Sequence, residues 1–436
     1  MARICMVGTG YVGLVSGACF ADFGHQVSCV DINPERIASL ERGEIPFFEP
    51  GLDLLVGRNR KAGRLAFGTS LPDAMATADV LFIAVQTPST PEGEADLGFV
   101  LNVAREIGEN LKPGEYKVVV TKSTVPVGSA RRVRAAVLEK APEGAQFDVA
   151  SNPEFLREGS SIEDFMRPDR VVIGSDSQRA EEVLRELYRP LYLLDTPMVA
   201  TSIETAELIK YASNSYLAVK ISFINEISNL CDKVGADVAM VAKAMGLDRR
   251  IGPKFLHAGL GFGGSCLPKD TRAIVHMARE HGESMRIIQS AVDVNNERAA
   301  RAVAKLESVV GDLEGKTIGI LGLAFKPNTD DIREAPSLRI VPMLLERGAK
   351  LRGCDPQSAH QVKEAVGGDF EIRGDAYACV QDADAAMLLT EWNEYRHLDL
   401  ERMKSCMRSA VMIDCRNVYP PERMAELGFR YACFGR

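Results

Sequence analysis

Between positions 261 and 270 the chain reads Gly-Phe-Gly-Gly-Ser-Cys-Leu-Pro-Lys-Asp. Glycines let backbone amides crowd a ligand. Cys266 follows them, and a cysteine becomes a nucleophile where positive charge or backbone dipoles favour its thiolate. Lys269 brings that charge by residue type, and Asp270 is a candidate acid–base group. The plainer alternative is a buried cysteine in a glycine turn. Upstream, Lys210 and Asn214 stand four apart and share one face of a helix. They read either as a solvated face or as two donors aimed at a substrate oxygen. The run Asn152-Pro153-Glu154-Phe155-Leu156-Arg157-Glu158 supplies carboxylates. One of them could activate a water; surface charge is the alternative.

A second constellation points to a dinucleotide. Gly8-Thr9-Gly10-Tyr11-Val12-Gly13 fits G-x-G-x-x-G, follows the strand candidate Arg3–Val7 and opens a helical pattern. Asp31 follows Gly13 by 18 positions, at the end of a second strand candidate. That is the context this fingerprint demands. Gly8 permits the turn, Gly10 lets the backbone approach a pyrophosphate, and Gly13 lets helix and strand pack closely. Asp31 can bond ribose hydroxyls and repels a 2′-phosphate, so NAD is expected over NADP. Val85-Gln86-Thr87-Pro88 and Lys122-Ser123-Thr124-Val125-Pro126 each follow a strand. Ligands in open α/β sheets lie at the carboxyl ends of strands, which makes both turns candidate cofactor contacts.

The elements that must hold these residues alternate. Strands are predicted at Arg3–Val7, Gln26–Val30, Val80–Val85 and Lys117–Thr121, with a small apolar helix over Gly13–Phe23. Such alternation implies a parallel sheet with crossover helices. Near residue 200 the pattern becomes helical. Thr201 and Glu204 are spaced as a capping box, and apolar residues recur at 209, 212, 216, 219 and 223 before Gly235. Unbroken, that helix is about 50 Å long. From Lys316 the strand pattern returns, with strands at Lys350–Cys354 and Ala385–Leu389 and Asp355 at a strand end. The turn Gly322 and Asp355 repeat the layout of Gly8 and Asp31. The expected fold is α/β, two Rossmann-like domains joined by a central helical region with one long helix. The boundaries expected are 1–199 for cofactor binding, 200–312 for the helical region and 313–436 for the second Rossmann-like domain.

Composition excludes several classes. The chain has 436 residues and a net charge of −8, which argues against broad nucleic-acid or anionic-membrane binding. The apolar run at 80–85 is far short of the ~20 residues of a membrane span. No two of the ten cysteines form Cys-x-x-Cys, so no zinc site and no disulfide framework are expected. The opening Met1-Ala2-Arg3 runs directly into a strand pattern, and a cytoplasmic location is expected.

In this order and over nearly the whole length, the motifs Gly8–Gly13, Ser123–Pro126, Asn152–Glu158, Lys210–Asn214, Gly261–Asp270, Phe325–Arg333 and Asp414–Arg416 resemble the nucleotide-sugar 6-dehydrogenases. The stretch 249–256, Arg-Arg-Ile-Gly-Pro-Lys-Phe-Leu, is most similar to members acting on UDP-glucose. The resemblance implies a four-electron, NAD-dependent oxidation of the sugar's C6 alcohol to a carboxylate, two NAD per turnover, through a thiohemiacetal and a thioester on Cys266. It implies that Lys210, Asn214, Asp270, Glu154 and Thr124 share the catalysis. Gly8, Gly10, Tyr11, Val12, Gly13, Asp31, Arg36, Thr87, Thr124, Glu158, Lys269 and Arg333 would contact NAD. Glu154, Phe155, Leu156, Arg157, Glu158, Lys210, Asn214, Arg250, Phe255, Gly263, Phe325, Lys326 and Arg416 would hold the UDP-sugar. Arg250 matches an arginine that reaches the neighbouring subunit's substrate, which implies a homodimer or larger assembly. No metal, nucleic-acid or membrane partner is implied.

Two departures stand out. Cys415 occupies a position where the family often has glycine, and a positive φ there would strain a cysteine. Gln86 stands where glycine or asparagine is common. Rival readings are the same reaction on GDP-mannose or a UDP-N-acetylhexosamine, a two-electron 3-hydroxyacid-type dehydrogenase, and a non-catalytic NAD-binding protein. The second needs neither Cys266 nor a full third domain. The third would be expected to have lost some of Lys210, Asn214, Cys266 and Asp270.

Overall fold

A computed structural model describes residues 1–90 and 93–436. It divides into two compact units, Met1–Ser213 and Asn214–Arg436.

The first unit is built on an eight-stranded sheet: β1 (Arg3–Val7), β2 (Gln26–Val30), β3 (Leu65–Gly68), β4 (Val80–Ile83), β5 (Tyr116–Thr121), β6 (Gln146–Ser151), β7 (Val171–Ser175) and β8 (Met198–Thr201). Their spatial order is β3-β2-β1-β4-β5-β6-β7-β8. Successive side chains of a strand point to opposite faces, and here both faces are covered. Ile4, Met6, Val80 and Phe82 enter one core, while Cys5, Val7, Leu81 and Ile83 enter the other. The sheet is not wholly parallel as expected. β7 runs antiparallel to β6, pairing Ala150 with Ser175 and Ser151 with Gly174. The segment between them carries only the six-residue helix Ser161–Met166. The chain therefore turns back rather than crossing over, and antiparallel pairing is what such a return gives.

The second unit holds a six-stranded, parallel sheet: β9 (Thr317–Leu321), β10 (Lys350–Cys354), β11 (Phe370–Ile372), β12 (Ala385–Leu388), β13 (Val411–Asp414) and β14 (Arg430–Cys433). Its order β11-β10-β9-β12-β13-β14 repeats that of the first six strands of the other sheet. The repeat extends to atoms. Gly8 N–H donates to Val30 O at 2.8 Å, and Gly322 N–H donates to Cys354 O at 2.9 Å. Both glycines have positive φ, 103° and 84°. A Cβ on Gly8 would lie 2.6 Å from Ala84 O just past β4, and one on Gly322 would lie 2.5 Å from Thr390 Cβ just past β12.

The 32-residue helix Ile203–Val234 spans the unit boundary. At 1.5 Å per residue it is about 48 Å long. It ends where Gly235 takes φ 71°. Its start differs from the predicted capping box. Thr201 is the last residue of β8, so Ser202 takes the capping position, its Oγ accepting Thr205 N–H at 3.3 Å. Glu204 instead pairs with Arg131. The buried face also differs from the apolar stripe read in the sequence. Tyr216 and Phe223 are exposed, whereas Asn214, Ser215, Ser222, Asn225 and Ser228 are buried.

Candidate functional site

The dinucleotide turn lies between β1 and the helix Tyr11–Asp22, whose N-cap Gly10 brings no side-chain cap and whose first turn holds no acid. The first N–H groups of that helix therefore face an anion site. A Cβ on Gly10 would meet nothing within 4 Å, whereas one on Gly13 would lie 2.0 Å from Gly8 O. The first glycine thus leaves open space for a ligand, and the second is required by the turn. Asp31 ends β2. Its Oδ2 accepts Thr9 N–H at 2.9 Å and Thr9 Oγ1 at 2.8 Å, and its Oδ1 accepts Asn33 N–H at 3.0 Å. Arg36 Nη1 lies 3.3 Å from Oδ2. Burial would raise this carboxyl, but those donors hold it below its ordinary value, so it stays an acceptor for ribose hydroxyls. Open space, a helix N-terminus without a side-chain cap and an ionised acid at the strand end fit NAD. The two later turns meet: Thr87 Oγ1 donates to Thr124 O at 2.9 Å.

The same unit holds a buried charge cluster. Lys210 Nζ is 2.8 Å from Glu154 Oε1, with side chains 4% and 5% exposed. Glu154 Oε2 accepts Leu156 N–H at 2.5 Å. Burial would raise Glu154, but the charge and hydrogen bond of Lys210, the Leu156 amide and the charge of Lys122 hold it below the ordinary carboxylate value. Lys210 also lies 5.4 Å from the Phe155 ring centroid. Arg157 is committed elsewhere, its guanidinium gripping Asp164 at 2.5 Å.

In the second unit Cys266 is the N-cap of the helix Leu267–Glu280, and no side chain caps that end. Helix N-terminal dipoles favour a thiolate. Ser265 Oγ is 3.4 Å from Cys266 Sγ. Asp270 stands in the first helical turn, 1% exposed. Asn214 Nδ2 donates to its Oδ2 at 2.6 Å, and Lys269 Nζ to its Oδ1 at 2.7 Å. Lys269 thus neutralises Asp270. The glycines before Cys266 are tightly packed: a Cβ on Gly263 would lie 2.4 Å from Glu334 O, and one on Gly264 would lie 2.7 Å from the Phe325 ring. Gly264 N–H donates to Arg333 O at 2.8 Å. Arg416 Nη2 donates to Phe325 O at 3.1 Å and its Nε to Leu389 O at 2.6 Å. Phe325, Gly263, Arg333 and Arg416 therefore gather beside the Cys266 segment. Lys326 Nζ is 5.3 Å from the Phe325 ring centroid. Phe255 takes a positive φ of 65°. Arg250 lies apart, paired with Asp248 and 89% exposed in its side chain. The concern over Cys415 does not materialise: the positive φ of this segment falls on Asn417, at 55°.

Three buried groups make contacts that sequence reasoning did not assign. Glu49 accepts Tyr11 Oη at 2.5 Å, Gly159 N–H at 2.6 Å and Ser161 N–H at 2.8 Å. Lys122 Nζ donates to Asn152 Oδ1 at 3.0 Å. Glu207 accepts two amides of a neighbouring helix. Glu49 and Glu207 sit in no spaced motif; Lys122 opens the turn read above as a candidate cofactor contact, but its bond to Asn152 spans 30 positions.

Profiles of the UDP-glucose/GDP-mannose dehydrogenase family match three segments: its NAD binding domain at residues 2–192, its central domain at 204–297 and its UDP binding domain at 319–421. The chain is 51% identical to a UDP-glucose 6-dehydrogenase of Rhizobium meliloti over 100% of this chain and 99% of that protein. It is 47% identical to the UDP-glucose 6-dehydrogenase TuaD of Bacillus subtilis, over 100% and 94%. A UDP-glucose dehydrogenase structure from Pyrobaculum islandicum superposes with a TM-score of 0.91 at 41% identity, covering 99% and 97%. The protein is an NAD-dependent oxidoreductase. It belongs to the UDP-glucose/GDP-mannose dehydrogenase family.

Proposed function

We propose that the chain oxidises the C6 alcohol of UDP-glucose to the carboxylate of UDP-glucuronate, consuming two NAD and one water per sugar. The observation that carries this reading is Cys266 at an uncapped helix N-terminus with the Asn214–Asp270 pair one turn on. A thiol so placed serves an aldehyde that must be held while cofactor is exchanged. NAD supplies the hydride acceptor for both oxidations.

Lys210 and Asn214, one turn apart on the same helix, bind the C6 oxygen in this reading, and a water held by Asp270 takes its proton. Loss of the first hydride gives the aldehyde. Cys266 loses its proton and its Sγ bonds to C6; the oxygen, stabilised by Lys210 and Asn214, is protonated to a thiohemiacetal. Loss of the second hydride and of that proton gives a thioester. Water then attacks C6, Glu154 or Asp270 takes its proton, and the C–S bond breaks to return the Cys266 thiolate. In sum, the alcohol, two NAD+ and water become the carboxylate, two NADH and three protons. Glu154, kept ionised by its cationic neighbours, suits the base role.

The expected cofactor and sugar contacts are carried into this reading, with domains at 1–199, 200–312 and 313–436. A homodimer is proposed through the long helix. Tyr216, Phe223 and Leu230 repeat every seven residues and are 62%, 43% and 57% exposed, an outward apolar row that a second copy would cover. Arg250 would reach across such an interface. We place the reaction in the cytoplasm, since its chemistry needs Cys266 as a reduced thiol.

The test is stoichiometric. With limiting UDP-glucose and excess NAD, two NADH should form per sugar, and Cys266→Ser should not complete turnover. One NADH per sugar would assign the reaction to the aldehyde stage and remove the role of Cys266.

A further inference from the structure

Glu207 is a carboxylate that the mechanism above leaves unused. It lies three residues before Lys210 on the long helix and is 2% exposed. Its Oε2 accepts Gly128 N–H at 2.6 Å, and its Oε1 accepts Ala130 N–H at 2.8 Å. These amides open the helix Ser129–Lys140, whose N-cap Gly128 brings no side chain of its own. The chain enters that helix directly from the Thr124 turn. Each carboxylate oxygen thus ties the turn of the long helix that carries Lys210 to the loop that carries Thr124. The start of the long helix is also packed hard on β7: a Cβ on Gly174 would lie 2.5 Å from Ala206 Cβ.

The arrangement is an unfavourable way to make a clamp. A buried carboxylate with no cation bonded to it resists ionisation. Burial pushes Glu207 up to about 7; the Ala130 and Gly128 amides pull it down, Glu204 on its own helix raises it, and Arg131 on the facing helix lowers it. Arg131 is itself shared between Glu204 and Asp176, the latter just past β7. A neutral side chain would hold the helices together without this cost. Two oxygens meeting two separate N–H groups define a position as well as a contact, because both bonds are kept only in one placement of the loop.

We propose that Glu207 is a positioning residue that sets the Thr124 loop against Lys210, and through them the cofactor against the C6 oxygen of the sugar. This rests on the roles proposed above for Thr124 and Lys210. Glu207→Gln matches the protonated acid in shape and charge, and leaves one of the two amides without an acceptor.

The experiment compares parent and Glu207→Gln full-length protein in kcat, KM, melting temperature and pH profile, with NAD affinity measured separately without sugar. The expected result is a kcat loss of roughly 10- to 100-fold with little change in the KM for UDP-glucose. The parent should lose kcat as pH falls through about 7, and that step should be missing from the variant. NAD binding without sugar should weaken several-fold, a readout that stands even if UDP-glucose is not the substrate. In that event NAD reduction fails in the parent, and the proposed function falls while this proposal is still judged. Glu207→Asp keeps the charge but withdraws the carboxylate by one methylene, and should show the same deficit while folding. Unchanged kcat, pH profile and NAD affinity in Glu207→Gln would overturn the proposal. So would a loss confined to melting temperature, or unfolding of both variants, which would make the carboxylate a structural clamp alone.

Discussion

Tyr11 Oη donates to Glu49 Oε2 at 2.5 Å, and the same oxygen accepts Gly159 N–H at 2.6 Å. A residue inside the dinucleotide fingerprint is therefore one atom removed from the loop that follows Glu158. Glu49 is 6% exposed, so the junction is buried. Tyr11→Phe removes one donor and leaves Glu49 its two amides. The expected cost is about 1 kcal/mol of stability, with a rise of a few-fold in the KM for NAD. Glu49→Ala removes the acceptor of all three donors and should cost more, roughly 1–3 kcal/mol for each donor left unsatisfied. Urea denaturation of the two variants separates these cases; equal losses would show that the hydroxyl carries the junction.

The buried pair of Lys210 and Glu154 predicts a non-additive pair of variants. Lys210→Met leaves the carboxylate buried without its principal cation, at a cost of roughly 3–5 kcal/mol. Lys210→Met combined with Glu154→Gln should recover most of that loss and stay inactive. Glu154 sits below its unfolded value, so its contribution is present above the ordinary carboxylate range and is lost as pH falls through the folded value. Acid unfolding of Lys210→Met should therefore begin at higher pH than in the parent. Additive losses in the double variant would rule out the coupling.

Lys122 makes the opposite prediction. Burial lowers its amine to about 8, partly offset by Glu154 and reinforced by Lys210. A base depressed on folding binds its proton more readily in the unfolded chain, so stability rises with pH between about 8 and the unfolded value near 10.5. At pH 7 its penalty is about 3 kcal/mol as an upper bound. Lys122→Met should unfold at the same or higher urea concentration at pH 7. Relative to the parent, its stability should stay flat across that alkaline window. A variant that keeps the parent's slope there would place the titration on another group.

Alkylation tests the thiol. Cys266 and Cys406 are the half-buried cysteines, and the other eight are buried. Iodoacetamide should modify Cys266 with loss of activity, and Cys406→Ser should inactivate at the same rate. Peptide mapping of the treated protein identifies the site; inactivation that tracks Cys406 would contradict the reading.

The motifs legible in the sequence are those in which chemistry and local geometry coincide. The Gly8–Gly13 turn and Cys266 before a proline-initiated helix show their chemistry within a few residues, and Asp31, though bonded to Thr9 22 positions away, is marked by a fixed spacing from that turn. Lys210 and Asn214 were legible as a pair, but their partners Glu154 and Asp270 are each 56 positions distant. Glu207 and Glu49 bond amides 79 and 110 positions away, and nothing in their own surroundings marks them. The long helix shows the same limit. Its apolar period predicts a helix but not which side faces inward, and here small polar residues do, leaving Tyr216 and Phe223 outside. The reversal of β7 depends on a short return between strands, which a pattern of alternating elements does not carry.

The repeated turn has one further consequence. Among the described residues, Asp31 in the first copy keeps an oxygen whose one donor is the Asn33 amide. Asp355 in the second copy is saturated by its own unit: Leu323 and Ala324 amides and the Trp392 indole on one oxygen, Gln357 and Ser358 amides on the other. In that copy both carboxylate oxygens already hold two or more donors of the chain. The two turns should therefore respond differently to dinucleotide. NAD at a hundred times its dissociation constant adds about 2.7 kcal/mol to whatever unfolds with the first turn. The second turn has its donors already in place and gains nothing from the same ligand. A calorimetric scan with rising NAD should move the melting of Met1–Ser213 upward, with the Asp355 turn keeping the heat resistance it has alone.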